Sequence, residues 1–122
     1  MNDDAEPVIR FNECISTRDV EGLAALMSQD HSFVDTAGAA VLGRSACIDA
    51  WRGFFLAYPG YRNVFEAFSA NGEAVTVSGH SLCPGHPESE GPALWLAIVR
   101  GGQLSEWRVY EDTPEARREL GL

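Results

Sequence analysis

The run YPGYRNVFEAFSANGEAVTVSGHSLC, residues 58–83, decides the fold. Upstream of it apolar residues recur at helical spacing, and downstream they recur at the spacing of strands. Pro59-Gly60 marks the change, because the residue before a proline is pushed out of helical backbone and glycine commonly follows a helix end. Tyr61–Ala70 and Glu73–Cys83 read as two strands, with Asn71-Gly72 as the turn dipeptide of a tight antiparallel hairpin. The pattern repeats at Ala93–Arg100 and Leu104–Glu111 around Gly101-Gly102. A polar loop, PGHPESEGP at residues 84–92, separates the two hairpins.

Toward the N-terminus the reading is helical. Pro7 opens a helix that places Val8, Phe11 and Ile15 on one face, with Cys14 beside them. Asp19 caps a second helix, Val20–Met27, whose Leu23, Leu26 and Met27 turn inward. His31–Asp35 alternates as a short strand with Phe33 and Asp35 on one face, followed by a small-residue connection, Thr36–Gly43. A third helix starts at Arg44 or Ser45 and ends at Tyr58. Thr113–Leu120 reads as a capped terminal helical turn. Three helices followed by a strongly curved, mostly antiparallel sheet predict a single α+β domain over residues 1–122, a cone with a cavity.

Composition narrows the function. The chain has 122 residues, 45% of them hydrophobic, which predicts a folded domain and excludes disorder. Its 18 acidic residues outnumber 9 basic ones, for a net charge of −9. All nine basic residues are arginine. That field repels phosphate backbones and anionic lipid, so neither nucleic acid nor membrane is an expected partner. The acidic start, MNDDAEPVIRF, lacks the basic and apolar segments of an export signal and predicts a cytoplasmic location. Three cysteines (Cys14, Cys47, Cys83), odd in number and widely spaced, fit reduced thiols.

The order α-α-β-α and four strands resembles the nuclear transport factor 2-like superfamily with its cystatin-like cone, and locally its SnoaL-like polyketide cyclases and ketosteroid isomerases. The resemblance is carried by Ile9-Arg10-Phe11, by Arg18–Leu23, by Asp30–Asp35 with Gly38 and Gly43, and by Gly102–Tyr110. It implies that Asp35 stands where the isomerases keep a general base, which shuttles a proton from carbon next to a carbonyl. Apolar surroundings disfavour the charged form of a carboxylate and so tune it for that work. The competing reading of Asp35 is a turn residue bonding its own backbone.

The isomerase chemistry lacks its partners here. That family stabilises an enolate with a tyrosine on the first helix and a protonated aspartate on a late strand. The matching helix position is Phe11, and Ala93–Val99 contains no carboxylate. Each missing donor removes about 3–4 kcal/mol of transition-state stabilisation, so ketosteroid isomerisation is not expected. His80, re-aimed by Gly79, or His31 is the candidate to pair with Asp35. The spacing His80-x-x-Cys83-x-x-His86 does not amount to a metal site, because alternation puts His80 and Cys83 on opposite faces. No metal or cofactor is expected.

For the cavity wall, Trp51, Phe55 and Tyr58 form one helical stripe. A two-residue turn at Gly101-Gly102 pairs Val99 with Leu104 and Leu96 with Trp107. By resemblance Leu94, Leu96, Ile98, Trp107, Val109 and Glu111 face the cavity, joined by Phe11 and Phe33. Trp95, Arg108 and Tyr110 fall on the outer face, where they suit a homodimer contact. The expected function is binding of a small apolar organic molecule. If catalytic, the protein abstracts a proton next to a carbonyl (isomerisation, dehydration or aldol cyclisation) with Asp35 as base. The alternative is a non-catalytic dimeric module with a hydrophobic cavity.

Overall fold

The computed structural model describes residues 5–122, so the first four residues of the acidic start read above lie outside the described residues. Helix α1 spans Ala5–Thr17 and α2 spans Val20–Leu26, followed by strands β1, Met27–Val34, and β2, Ala40–Leu42. Then come α3, Arg44–Ala57, the strands β3, Arg62–Asn71, and β4, Ala74–Leu82, and a 3₁₀ turn at Pro87–Ser89. Strands β5, Gly91–Arg100, and β6, Gln103–Glu111, and helix α4, Pro114–Leu120, complete the chain. The strands form one six-stranded sheet in the order β2-β1-β6-β5-β4-β3, and only β1 and β6 run parallel.

Local chemistry explains the element ends. The Asp19 side chain accepts from Gly22 N–H at the start of α2, the expected capping bond. Thr113 does the same for Ala116 N–H in α4, which closes on Gly121 in left-handed backbone. The β5–β6 hairpin turns on Gly101 and Gly102, both at positive φ, as two-residue hairpin turns demand. The β3–β4 hairpin turns one residue later than expected, on Gly72-Glu73, because Asn71 is already paired with Ala74. The second helix also ends one residue early: Met27 leaves helical backbone and opens β1.

Two irregularities aim side chains. Glu66 is an extra residue in β3 opposite Gly79, where the β3–β4 register shifts. A Cβ on Gly79 would stand 2.0 Å from the Val64 carbonyl oxygen, so the strands can approach this closely only without a side chain. The second shift lies in the last hairpin. Val99 pairs with Leu104 as expected, but the register slips next to it, Ile98 faces Glu106, and Trp107 pairs with Ala97. One bulged residue exchanges the faces of everything beyond it. Trp95, Ala97, Trp107 and Val109 therefore share the inner face, and Leu94, Leu96 and Ile98 point outward with Arg108 and Tyr110.

The core lies between the helices and that inner face. Val8, Phe11 and Ile15 of α1 and Leu23 of α2 are fully buried with Val75, Val77, Trp95 and Trp107 of the sheet. Phe11 packs on Trp107 with ring centroids 4.7 Å apart, and Phe65 covers the other neighbours, Trp95 at 5.0 Å and Trp107 at 6.2 Å.

Candidate functional site

The cone stays partly hollow at one end. A cavity of about 420 Å³ opens between α3 and the inner face of the sheet, within the size range of small-molecule sites. Its apolar wall is aromatic: Phe33 from β1, Trp51 and Phe54 from α3, Trp95 from β5 and Trp107 from β6. Trp51 fixes this wall by edge contacts to Phe33 at 5.6 Å and Phe54 at 5.8 Å. The indole Nε1 atoms of Trp51 and Trp95 are both buried without a hydrogen-bond partner.

Polar groups meet the cavity in two sets. The first is a relay of Tyr61, Ser81 and Asn63, all on the cavity wall. Ser81 Oγ donates to Asn63 Oδ1 at 2.7 Å and lies 3.0 Å from the Tyr61 hydroxyl. Since the serine proton is committed to Asn63, the tyrosine hydroxyl is the donor in the second bond. Burial pushes the Tyr61 phenol above its ordinary range, so it serves as a neutral donor. Asn12 Nδ2 donates to the Asn63 carbonyl at 3.1 Å and pins the backbone. Asn63 lies on the cavity wall with its Oδ1 taken by Ser81, and the residue is only 6% exposed.

The second set is acidic. Asp35, Glu88, Glu90 and Glu111 line the opening, and no arginine does. Asp35 follows the last residue of β1, Glu111 ends β6 and Glu90 just precedes β5. Because β1 and β6 are parallel neighbours and β5 runs antiparallel to β6, these three carboxylates belong to one rim of the sheet. Asp35 Oδ1 accepts the N–H groups of Ala37 and Ala39, each at 2.9 Å. Glu90 Oε2 accepts the Cys83 N–H at 2.9 Å.

The sequence-derived candidates divide accordingly. Asp35, Phe33, Trp51, Trp107, Val109 and Glu111 meet at the cavity. Phe11 and Phe55 lie in the core behind it, and Tyr58 packs tilted against Phe54 and edge-on against His86, with centroids 5.0 Å apart in each pair. Leu96 faces outward because of the β6 bulge, and Trp95, expected outside, is an inner wall residue. Neither histidine stands beside Asp35. His80 points to the outer face, its Nδ1 3.3 Å from Glu66 Oε2, since the bulge lies in β3 and leaves the alternation of β4 intact. His31 is fully buried, donating from Nδ1 to the Leu104 carbonyl at 2.7 Å. Burial holds its pKa below the ordinary imidazole range.

Several wall residues escaped the sequence reading: Phe54, Tyr61, Asn63, Ser81, Glu90 and Trp95. For Asn63 and Ser81 a signal exists, since polar residues on the apolar face of a strand need partners. No three His, Cys, Asp or Glu side chains among the described residues are grouped to hold a metal ion. No helix among them is long and apolar enough to cross a membrane.

Known structures share this architecture. A SnoaL-like polyketide cyclase candidate from Shewanella putrefaciens superposes with a TM-score of 0.80 at 17% identity, covering 99% of this chain and 87% of its own. An LEH-like epoxide hydrolase of M. tuberculosis gives 0.78 at 17% identity, over 89% of this chain and 82% of its own. A ketosteroid isomerase candidate from Kribbella flavida gives 0.73 at 16% identity, over 96% and 86%. At these identities the likeness shows the cystatin-like fold, whose members differ in chemistry. No protein of curated function matches the sequence. The family model of the SnoaL-like domain matches residues 8–107, most of the chain, and the protein belongs to the SnoaL-like domain family.

Proposed function

We propose that the cavity binds a small, flat, largely apolar organic molecule, and that Asp35 acts on it as a general base, removing a proton from carbon next to a carbonyl. The observation carrying this reading is the placement of the Asp35 carboxylate and the Asn63 amide on the same aromatic cavity. A base needs a partner to stabilise the enolate oxygen. Asn63 Nδ2 supplies a donor of the right kind, oriented by Ser81 and Tyr61. Asp35 Oδ1 is engaged by two backbone N–H groups, which leaves Oδ2 for the proton. The reaction class is isomerisation, dehydration or aldol cyclisation, and no step calls for a cofactor.

The test is proton exchange in D2O, followed by NMR on the methyl group of 2-acetylnaphthalene. The protein accelerates exchange over buffer, Asp35→Asn loses at least about 100-fold of that acceleration, the usual scale of a general base, and binding of the ketone persists. Binding with no accelerated exchange selects the second reading, a non-catalytic ligand-binding module. One observation favours that rival: no histidine or other base orients Asp35, whose bonds are those of a turn. For self-association, the outer face of β5 and β6, with Leu96, Ile98, Arg108 and Tyr110 half-buried, is the surface we propose.

A further inference from the structure

We infer that the cavity selects by charge and takes an organic cation, a flat aromatic compound bearing a protonated amine, a reading that rests on the pocket proposed above and adds the class of its ligand. Four carboxylates and no arginine line the opening. Seven of the nine arginines are committed elsewhere. Five of the nine pair with Asp49, Glu73, Glu106, Asp112 and Glu115, and Arg18 and Arg44 donate to the carbonyls of Pro59 and Ala24.

The rim carboxylates stay uncompensated. Glu88 faces only His86, at 3.4 Å. Asp35 and Glu90 accept backbone N–H groups, which stabilise a carboxylate without cancelling its charge. Glu111 has no ion-pair partner among the described residues. This rim sits in a chain of net charge −9, and a cleft lined by one sign of charge concentrates the opposite sign and repels its own. An anionic ligand would enter past four acids with no cation to meet it.

Two features inside the cavity give that field something to hold. Half-buried Phe33, Phe54 and Tyr61 line the cavity and offer aromatic surface to a cation, most strongly where water is excluded. Independently, the indole Nε1 groups of the wall residues Trp51 and Trp95, which are 8% and 0% exposed, have no hydrogen-bond partner. A buried donor left open in this way is completed by an acceptor on the ligand. The ligand class is then an aromatic ammonium compound that also carries an oxygen or nitrogen acceptor.

The experiment titrates the protein with three probes of one shape, 2-naphthylmethylammonium, 2-naphthalenemethanol and 2-naphthoate, read by the indole N–H signals of the tryptophans in 15N NMR. At low ionic strength the ammonium binds at least about 3-fold tighter than the alcohol, and the naphthoate at least about 3-fold weaker. In 0.3 M NaCl the spread narrows, as expected for charges at a rim. The double variant Glu90→Gln, Glu111→Gln collapses the ammonium-to-naphthoate ratio. The control Glu13→Gln, Glu21→Gln, with the same change in net charge on exposed helical sites, leaves it in place. Naphthoate binding as tightly as the ammonium, or an equal collapse in the control, overturns charge selection and leaves the pocket standing. Failure of all three probes to bind overturns the pocket and this inference together.

Discussion

Gly79→Ala tests whether the close approach of β3 and β4 is a requirement of the fold. The new Cβ would lie 2.0 Å from the Val64 carbonyl oxygen, 3.0 Å from the Val64 carbonyl carbon and 3.1 Å from Phe65 Cα. All three are backbone atoms, so no side-chain rotation relieves the contact. To reach even 3.0 Å from the oxygen, β3 must withdraw by about 1 Å, straining the ladder where Val64 faces His80 and Phe65 faces Gly79. Overpacking of this kind costs about 1–3 kcal/mol, and a weakened ladder bond adds about 1 kcal/mol. We expect a loss of about 3 kcal/mol, roughly 10 °C in Tm for a domain of this size. The companion variant is Gly53→Ala on the exposed side of α3, where a Cβ meets nothing within 4 Å. It removes a helix-interior glycine and should stabilise by about 0.5–1 kcal/mol. Urea unfolding of the two variants gives the answer. A Gly79→Ala protein within 1 kcal/mol of wild type refutes the reasoning, because the strands would then separate at little cost.

Other expectations follow from single contacts. His31 is held neutral by burial, with its pKa below the unfolded value of about 6.5, so the unfolded chain binds the extra proton. Stability from this residue is complete above that value and is lost as pH falls below it, by at most about 1.4 kcal/mol per pH unit. Urea midpoints at pH 7.5 and 5.5 should converge more for His31→Gln than for wild type, and parallel pH dependences would contradict this. Asp35→Ala removes the acceptor of two backbone N–H groups and should cost about 1–2 kcal/mol, whereas Asp35→Asn keeps an acceptor and should stay within about 0.5 kcal/mol; thermal melts separate them. Burial raises the thiol pKa of Cys47 and Cys83, so neither should react with a thiol reagent in the native protein at neutral pH until urea is added.

Patterning shows in the sequence wherever neighbours in the chain decide it. The caps at Asp19 and Thr113, the helix end before Pro59 and the Gly101-Gly102 turn all follow from local chemistry. What escaped depends on partners far away. Strand β2 is three residues long and exists because it pairs with β1, so Ala40–Leu42 carries no periodicity of its own. The bulge in β6 has no local glycine signature, yet it alone moved Trp95 inward and Leu96 outward. Likewise His31 reads as a candidate base from its spacing to Asp35, but its neighbour is the Leu104 carbonyl across the sheet. The Tyr61–Ser81–Asn63 relay joins β4 to the start of β3, and no short motif announces it.

The parallel pairing of β1 with β6 has a kinetic consequence. Strands β3 to β6 form a meander whose connections are two to eight residues long, while Phe33 meets Trp107 and Met27 meets Leu104 across more than seventy intervening positions. Closing a long loop costs entropy that its contacts return only afterwards. The seam between β1 and β6 is therefore expected to form late in folding, on the meander as a template. The His31–Leu104 bond and the β1 rim of the cavity lie on that seam, so the cavity is expected to close only with the chain's last long-range contact.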